Sequence, residues 1–164
     1  MRGFSALGLA AAIGLAACGG EDVPYRGDEM LESGMTIEER ITSRQDNLKS
    51  LGGAFKKTND QLKSGSPDLD VISGAVDKIV ELSEDMPTWF PEGTGPASGV
   101  DTDALPAIWE DPEGFSDAVD RFQTAAAELS QTTAGGDFDE IRMAVQQLGG
   151  ACKNCHDSYR LDDD

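Results

Sequence analysis

The chain of 164 residues holds one histidine, His156, and only three cysteines. A structural zinc site needs four ligands, and a second ligand pair is missing. No βαβ pattern flanks the Cys152/Cys155 pair, which removes a thioredoxin-like redox reading. No stretch alternates apolar and polar residues with period two, so no sheet is predicted. Basic side chains are scarce, with 13 Lys and Arg against 31 Asp and Glu and a net charge of −18. Such a chain has no electrostatic footprint for nucleic acid. The negative excess favours solubility, and it would also suit a basic docking partner. The uncharged apolar run Phe4 to Ala17 is too short to span a bilayer.

That run reads as something else. Met1-Arg2 makes a short positive start before it, so residues 1–17 are predicted to be a signal peptide. Leu15-Ala16-Ala17-Cys18 resembles a bacterial lipobox, in which Cys18 is lipidated and becomes the first mature residue. Ordinary cleavage near Ala17 is the alternative. Residues 18–34, from Gly19-Gly20-Glu21-Asp22 to Ser33-Gly34, are acidic and Gly-rich without apolar period. They read as a tether that holds the folded part off a membrane surface. The predicted location is the periplasm, anchored to a membrane through the N-terminal lipid. Residues 35–164 suffice for one domain around a single core.

Near the other end stands Cys152-Lys153-Asn154-Cys155-His156. C-x-x-C-H reads as a c-type haem attachment site. Two cysteines three apart can each form a thioether to one haem vinyl group. The residue after them places an imidazole on one axial side of the iron. One covalent haem c is implied, with His156 as the iron ligand. Haem is attached to such proteins outside the cytoplasm, so leader and motif reinforce each other. With Cys18 assigned to lipid, no cysteine is left for a disulfide.

Four helices can be read from apolar spacing. The first runs from about Thr36 to Lys63 and opens on a Thr36-x-x-Glu39 capping box. Its stripe is Ile37, Ile41, Leu48, Leu51, Phe55 and Leu62, and Gly65 ends it. The second is predicted to start at Ser66-Pro67, to bury Ile72, Val76, Ile79 and Met86, and to stop at Pro87. Residues 87–112 form a long proline-rich loop, a length that implies a function or something to wrap over. The third helix starts at Asp111-Pro112-Glu113 and carries Phe115, Val119, Phe122, Ala126 and Leu129 before Gly135-Gly136. Asp137-x-x-Glu140 caps the fourth, whose stripe is Ile141, Val145, Leu148, Cys152 and Cys155.

The cysteines thus continue the core-facing pattern of the last helix. His156 lies four residues from Cys152 and shares that side. The haem is therefore predicted to sit inside the bundle. The fold class is all-α, an antiparallel four-helix bundle with covalently bound haem c in the core.

A C-terminal C-x-x-C-H on the last helix of such a bundle resembles the class II cytochromes c, the cytochrome c′ family. Ser43-Arg44-Gln45 with Leu48 is similar to the family's first-helix pattern. Pro87-Thr88-Trp89-Phe90-Pro91, Asp103-Ala104-Leu105-Pro106-Ala107-Ile108-Trp109 and Cys155-His156-Asp157-Ser158-Tyr159-Arg160 resemble further family segments. The resemblance covers about residues 37–160. It implies that Arg44, Gln45 and Asp103 lie at the haem edge near the propionates, and that Arg160 lies beside the proximal side. It implies that Leu48 is a distal residue, where low-spin members carry methionine. From the residues alone, Leu48 could be plain core, Arg44 and Gln45 a solvated pair, and Arg160 a cation opposing the helix dipole. Leu51 and Phe122 suit haem packing or ordinary core, and Trp109 is undecided. No methionine is predicted in the middle of the face opposite the haem. The lipobox departs from the family, whose members are typically soluble in the periplasm, and the homodimer of the family is an option here.

Two functions follow from the resemblance. One is binding of a small gas, nitric oxide or carbon monoxide, at a five-coordinate high-spin iron. The other is periplasmic electron transfer to a redox protein partner. A peroxidase-like enzyme would want a distal His or Arg to polarise its substrate, and a distal leucine argues against it.

Overall fold

The structure is a computed structural model and describes residues 24–161. The predicted signal peptide, the lipobox Cys18 and the first part of the tether, residues 18–23, lie outside the described residues.

Among the described residues the helices are α1 (Ile37–Lys63), α2 (Leu69–Asp85), the short α3 (Ala107–Glu110), α4 (Pro112–Gly135) and α5 (Phe138–Tyr159). The four long ones form an antiparallel bundle. Helix α4 packs on α2 and α5, and α1 packs on α2. Pairing in extended backbone is confined to isolated bridges, Met30 with Thr36 and Ala104 with Arg160.

Each helix starts where its sequence satisfies orphan backbone donors. Thr36 and Glu39 form the reciprocal capping box of α1. Asp111 accepts from the Gly114 amide, with Pro112 in the first turn of α4. Asp137 accepts from the Asp139 and Glu140 amides of α5. The start of α2 differs from the predicted Ser66-Pro67. The cap is Asp68, whose carboxylate accepts from the amides of Asp70 and Val71. Pro67 stands just outside the helix, and a carboxylate there reaches two donors at once. Gly136, at φ 76°, closes α4 in the left-handed conformation that glycine adopts freely.

The core follows the predicted stripes. Ile72, Val76 and Ile79 of α2 meet Phe122, Ala126 and Leu129 of α4 and Ile141, Val145 and Leu148 of α5. The α1 stripe is shifted. Arg44, Ala54 and Thr58 are buried on it, whereas Leu48 is exposed and Phe55 half-buried.

The long connection between α2 and α4 is ordered by local turns. Met86–Thr88 and Pro96–Ser98 are single 3₁₀ turns, and Pro106 opens α3. Trp109 braces the connection, its indole Nε1–H donating to the carbonyls of Phe90 and Pro91 at 3.1 and 3.2 Å. Residues 24–34, predicted as tether, are tied to the bundle instead. The Arg26 amide donates to the Ser98 carbonyl at 2.8 Å, and the Ile37 and Glu38 amides donate to the carbonyls of Glu29 and Gly27, each at 2.9 Å. Their composition is that of a linker, but backbone pairing does not depend on apolar side chains.

Leu129 is fully buried between helices. Leu129→Ala should lower the unfolding free energy by about 2–5 kcal/mol, and Asp137→Ala by only about 1 kcal/mol. Denaturant titration measures both. Equal small losses would contradict a packed core at Leu129.

Candidate functional site

A cavity of about 140 Å³ opens toward the end of the bundle where α1 and α4 begin and α2 and α5 finish. Cys152, Cys155 and His156 of α5 all line it. Their i, i+3 and i+4 spacing puts them on one side of the helix, continuous with Leu148.

The facing walls are apolar. Leu48 and Leu51 come from α1, Phe115, Ala118 and Phe122 from α4, and Met86, Phe90 and Ile108 from the α2–α4 connection. Phe115 makes edge contacts with Phe90 and Tyr159, at centroid distances of 5.0 and 5.2 Å. Polar groups line it as well: the buried Arg44, and Gln45, Thr102, Asp103 and Arg160, which are partly or largely exposed. Leu51 and Phe122, open between two readings in sequence, are thus both core and cavity wall. Trp109 is a brace of the connection.

Burial pushes the Cys152 thiol up to about 11, with Cys155 beside it adding to the effect. Burial raises the Cys155 thiol as well. At neutral pH both are uncharged. A site for a bare soft metal ion would stabilise thiolates instead. Among the described residues no group of three or more His, Cys, Asp and Glu side chains could hold a metal ion. Paired thiols, one imidazole and an apolar cavity on the same side of α5 fit a haem.

Arg44 is not solvated. It is 2 % exposed. Its Nη1 donates to Thr94 Oγ1 at 3.2 Å, and its Nη2 donates to the Thr94 carbonyl at 3.1 Å and Thr102 Oγ1 at 2.9 Å. The guanidinium also stacks over Phe90, 4.7 Å from the ring centre. Burial, with Arg40 nearby, lowers its pKa to about 10, so it stays cationic at neutral pH. One turn position away, Gln45 Nε2 donates to the Asp101 carbonyl at 3.1 Å. Arg44 and Gln45 together fasten the α2–α4 connection to α1. Helical periodicity could not reveal this, because the covering segment lies 50 or more residues away.

Asp103 and Arg160 meet across the rim at 3.6 Å, a half-exposed pair of small energetic weight. The backbone does more there. The Leu105 amide donates to the Tyr159 carbonyl at 3.0 Å, and the Leu161 amide to the Asp103 carbonyl at 2.8 Å. The chain end is thereby latched to the connection beside His156.

Leu48 lines the cavity and is 38 % exposed. Met86, which the sequence places away from the middle of the face opposite the haem, is buried in the cavity wall. The Pro87 stop brings it there by ending α2 at the cavity. Thr94 and Thr102 carry no motif that sequence reading could have used.

A family model described as Cytochrome C′ matches residues 39–160. Cytochrome c-554 of Cereibacter sphaeroides is 33% identical over 129 residues, spanning 77% of this chain and 84% of that protein. The crystal structure of cytochrome c′ from Rubrivivax gelatinosus superposes with a TM-score of 0.70 at 33% identity, covering 76% of this chain and 96% of the other. A nitric oxide complex of a cytochrome c prime variant from Alcaligenes xylosoxidans has a TM-score of 0.70 at 30% identity, covering 77% and 97%.

Removing the Arg44 side chain leaves Thr94 and Thr102 without their buried partner. Arg44→Ala should cost at least about 2 kcal/mol, the scale of hydrogen bonds to a charged group. Arg44→Lys should restore little, since an ammonium cannot reproduce the fork. Thermal or denaturant unfolding reads both, and a neutral Arg44→Ala would show that the connection is held by other contacts.

Proposed function

The chain belongs to the cytochrome c′ family, and from that premise we propose that it is a periplasmic gas-binding haem protein whose ligand is nitric oxide, with carbon monoxide as a second, weaker one. Its cofactor is a single haem c. Cys152 and Cys155 would hold it by thioethers, and His156 would supply one axial nitrogen. When bound, the haem supplies a ferrous iron with one axial position available to a small ligand.

The observation that carries the reading is the pairing of a single imidazole, His156, with an apolar wall that contains Leu48. A leucine cannot ligate iron, so a haem held by Cys152, Cys155 and His156 would be high-spin and five-coordinate. It fills space and excludes water, which selects for small uncharged ligands able to push it aside. Arg44 stands on the same helix, but three of its donor contacts are committed to Thr94 and Thr102. It is therefore badly placed to polarise a peroxide, which weighs against peroxidase turnover. Its remaining N–H groups, with Gln45 and Asp103 beside them in the lining, would lie at the haem edge near the propionates, and Arg160 beside the proximal side. The nitric oxide complex of the Alcaligenes xylosoxidans relative supports the choice of ligand.

One observation favours a second reading. Met86 lines the cavity, and methionine is a common axial ligand in electron carriers. A carrier gains from a fixed sixth ligand, because its geometry then changes little between oxidation states.

Absorption spectra of the reduced protein separate the two. The ferrous protein should be high-spin and five-coordinate and should change on adding nitric oxide. Leu48→Ala should speed carbon monoxide binding, and Leu48→Met should move the spectrum toward low spin. A low-spin wild-type spectrum that turns high-spin in Met86→Leu would replace gas binding by electron transfer.

Location belongs to the same proposal. Lipid on Cys18 would anchor the protein to a membrane, since acyl chains supply the binding energy. Cys18→Ala should then move the protein into the soluble periplasmic fraction. Wild-type protein already soluble, with an N-terminus beyond residue 18, would refute the anchor.

A further inference from the structure

Leu48 sits on a helix that carries two glycines within its next turn and a half, Gly52 and Gly53. Glycine in a helix interior is destabilising relative to alanine. Nothing steric requires it here. Neither residue has a positive φ. A Cβ placed on either would meet nothing within 4 Å. The two glycines point in different directions, however. With 3.6 residues per turn, Gly52 lies about 40° around the helix from Leu48, and Gly53 about 140°.

Helical side chains lean back over the turn before their own Cα. A side chain at position 52 would therefore lie over Leu48, on the side shared with Gln45 at the cavity rim. Gly52 has none, and a Cβ built there would have open space within 4 Å. The flank of Leu48 is left uncovered on its C-terminal side. Leu51, the other neighbour one turn on, is 7 % exposed and belongs to the packed core, so it offers no way out.

We infer that Gly52 is a specificity-determining residue for ligand entry: its missing side chain gives Leu48 the free volume to swing out of the distal space. The inference rests on the distal role proposed for Leu48. Filling the position would raise the barrier to displacement by covering Leu48, while His156 and the two cysteines stay untouched. Access would then be set by two residues, a leucine that blocks and a glycine that lets it move.

The test compares Gly52→Leu and Gly53→Leu in the haem-loaded full-length protein, with Leu48→Ala alongside. Both glycine variants gain helix propensity and should melt at or above the wild-type temperature. Gly52→Leu should slow carbon monoxide association by about tenfold, the effect of one additional branched side chain to be moved aside. Gly53→Leu should leave the rate within about twofold. In a crystal structure of Gly52→Leu, the exposure of Leu48 should fall well below its present 38 %. Should Gly52→Leu fail to fold, Gly52→Met carries an unbranched side chain that still reaches over Leu48 and should slow association in the same direction. Equal slowing in both leucine variants would overturn the inference. So would an unchanged rate in Gly52→Leu beside a faster Leu48→Ala, and that result leaves the distal role of Leu48 standing. An unchanged rate in Leu48→Ala would instead overturn the distal role itself.

Discussion

One face of α5 must serve two purposes, and the molecule is arranged around that demand. Ile141, Val145 and Leu148 seal it against the rest of the bundle, and the same face then continues into Cys152, Cys155 and His156. A packed bundle would close over those residues. Here the other helices withdraw at that end, and side chains from α1, α4 and the α2–α4 connection line a cavity in place of a closed core. The cofactor site is thus a planned gap in a hydrophobic interior, walled by the residues that would otherwise have filled it.

A gap needs support. The α2–α4 connection supplies much of one wall, yet it contains little regular structure. Three kinds of contact hold it. Arg44 and Gln45 reach it from α1, Trp109 braces it from within, and the latch at Asp103–Leu105 ties it to the end of α5. Arg44 is the costliest of these, a cation removed from water, and its three hydrogen bonds and the Phe90 ring compensate for that loss. Residues 24–34 add a further layer by pairing with Ser98 and with the start of α1. The segment outside the family match at 39–160 is therefore joined to the same connection that shapes the cavity.

The chemistry of the cavity follows from what its walls can and cannot donate. Apolar surfaces and one imidazole favour small neutral ligands. Aligned cationic donors would favour anions or peroxides, and a second strong ligand would favour electron transfer. Leu48 and Met86, both in the lining of the cavity, hold the two competing answers. The proposed reading chooses Leu48, because the resemblance assigns it the distal position and because Arg44 is turned to the connection.

Much of this was legible in the chain itself. Helix stripes, the caps at Thr36, Asp111 and Asp137, and the C-x-x-C-H of α5 are local patterns, set by 3.6-residue periodicity and by orphan donors at helix ends, and they determined the all-α bundle and its cofactor. The cap of α2 moved from Ser66 to Asp68, a local competition between neighbouring side chains that spacing alone does not resolve. Other features depended on contacts between distant segments. The burial of Arg44, the partnership of Thr94 and Thr102, the place of Met86 in the wall and the docking of residues 24–34 all arose that way. Periodicity reports which way a side chain points from its own helix. Only the tertiary structure decided what came to meet it, because irregular segments are positioned by hydrogen bonds and packing that leave no repeating signal in the chain.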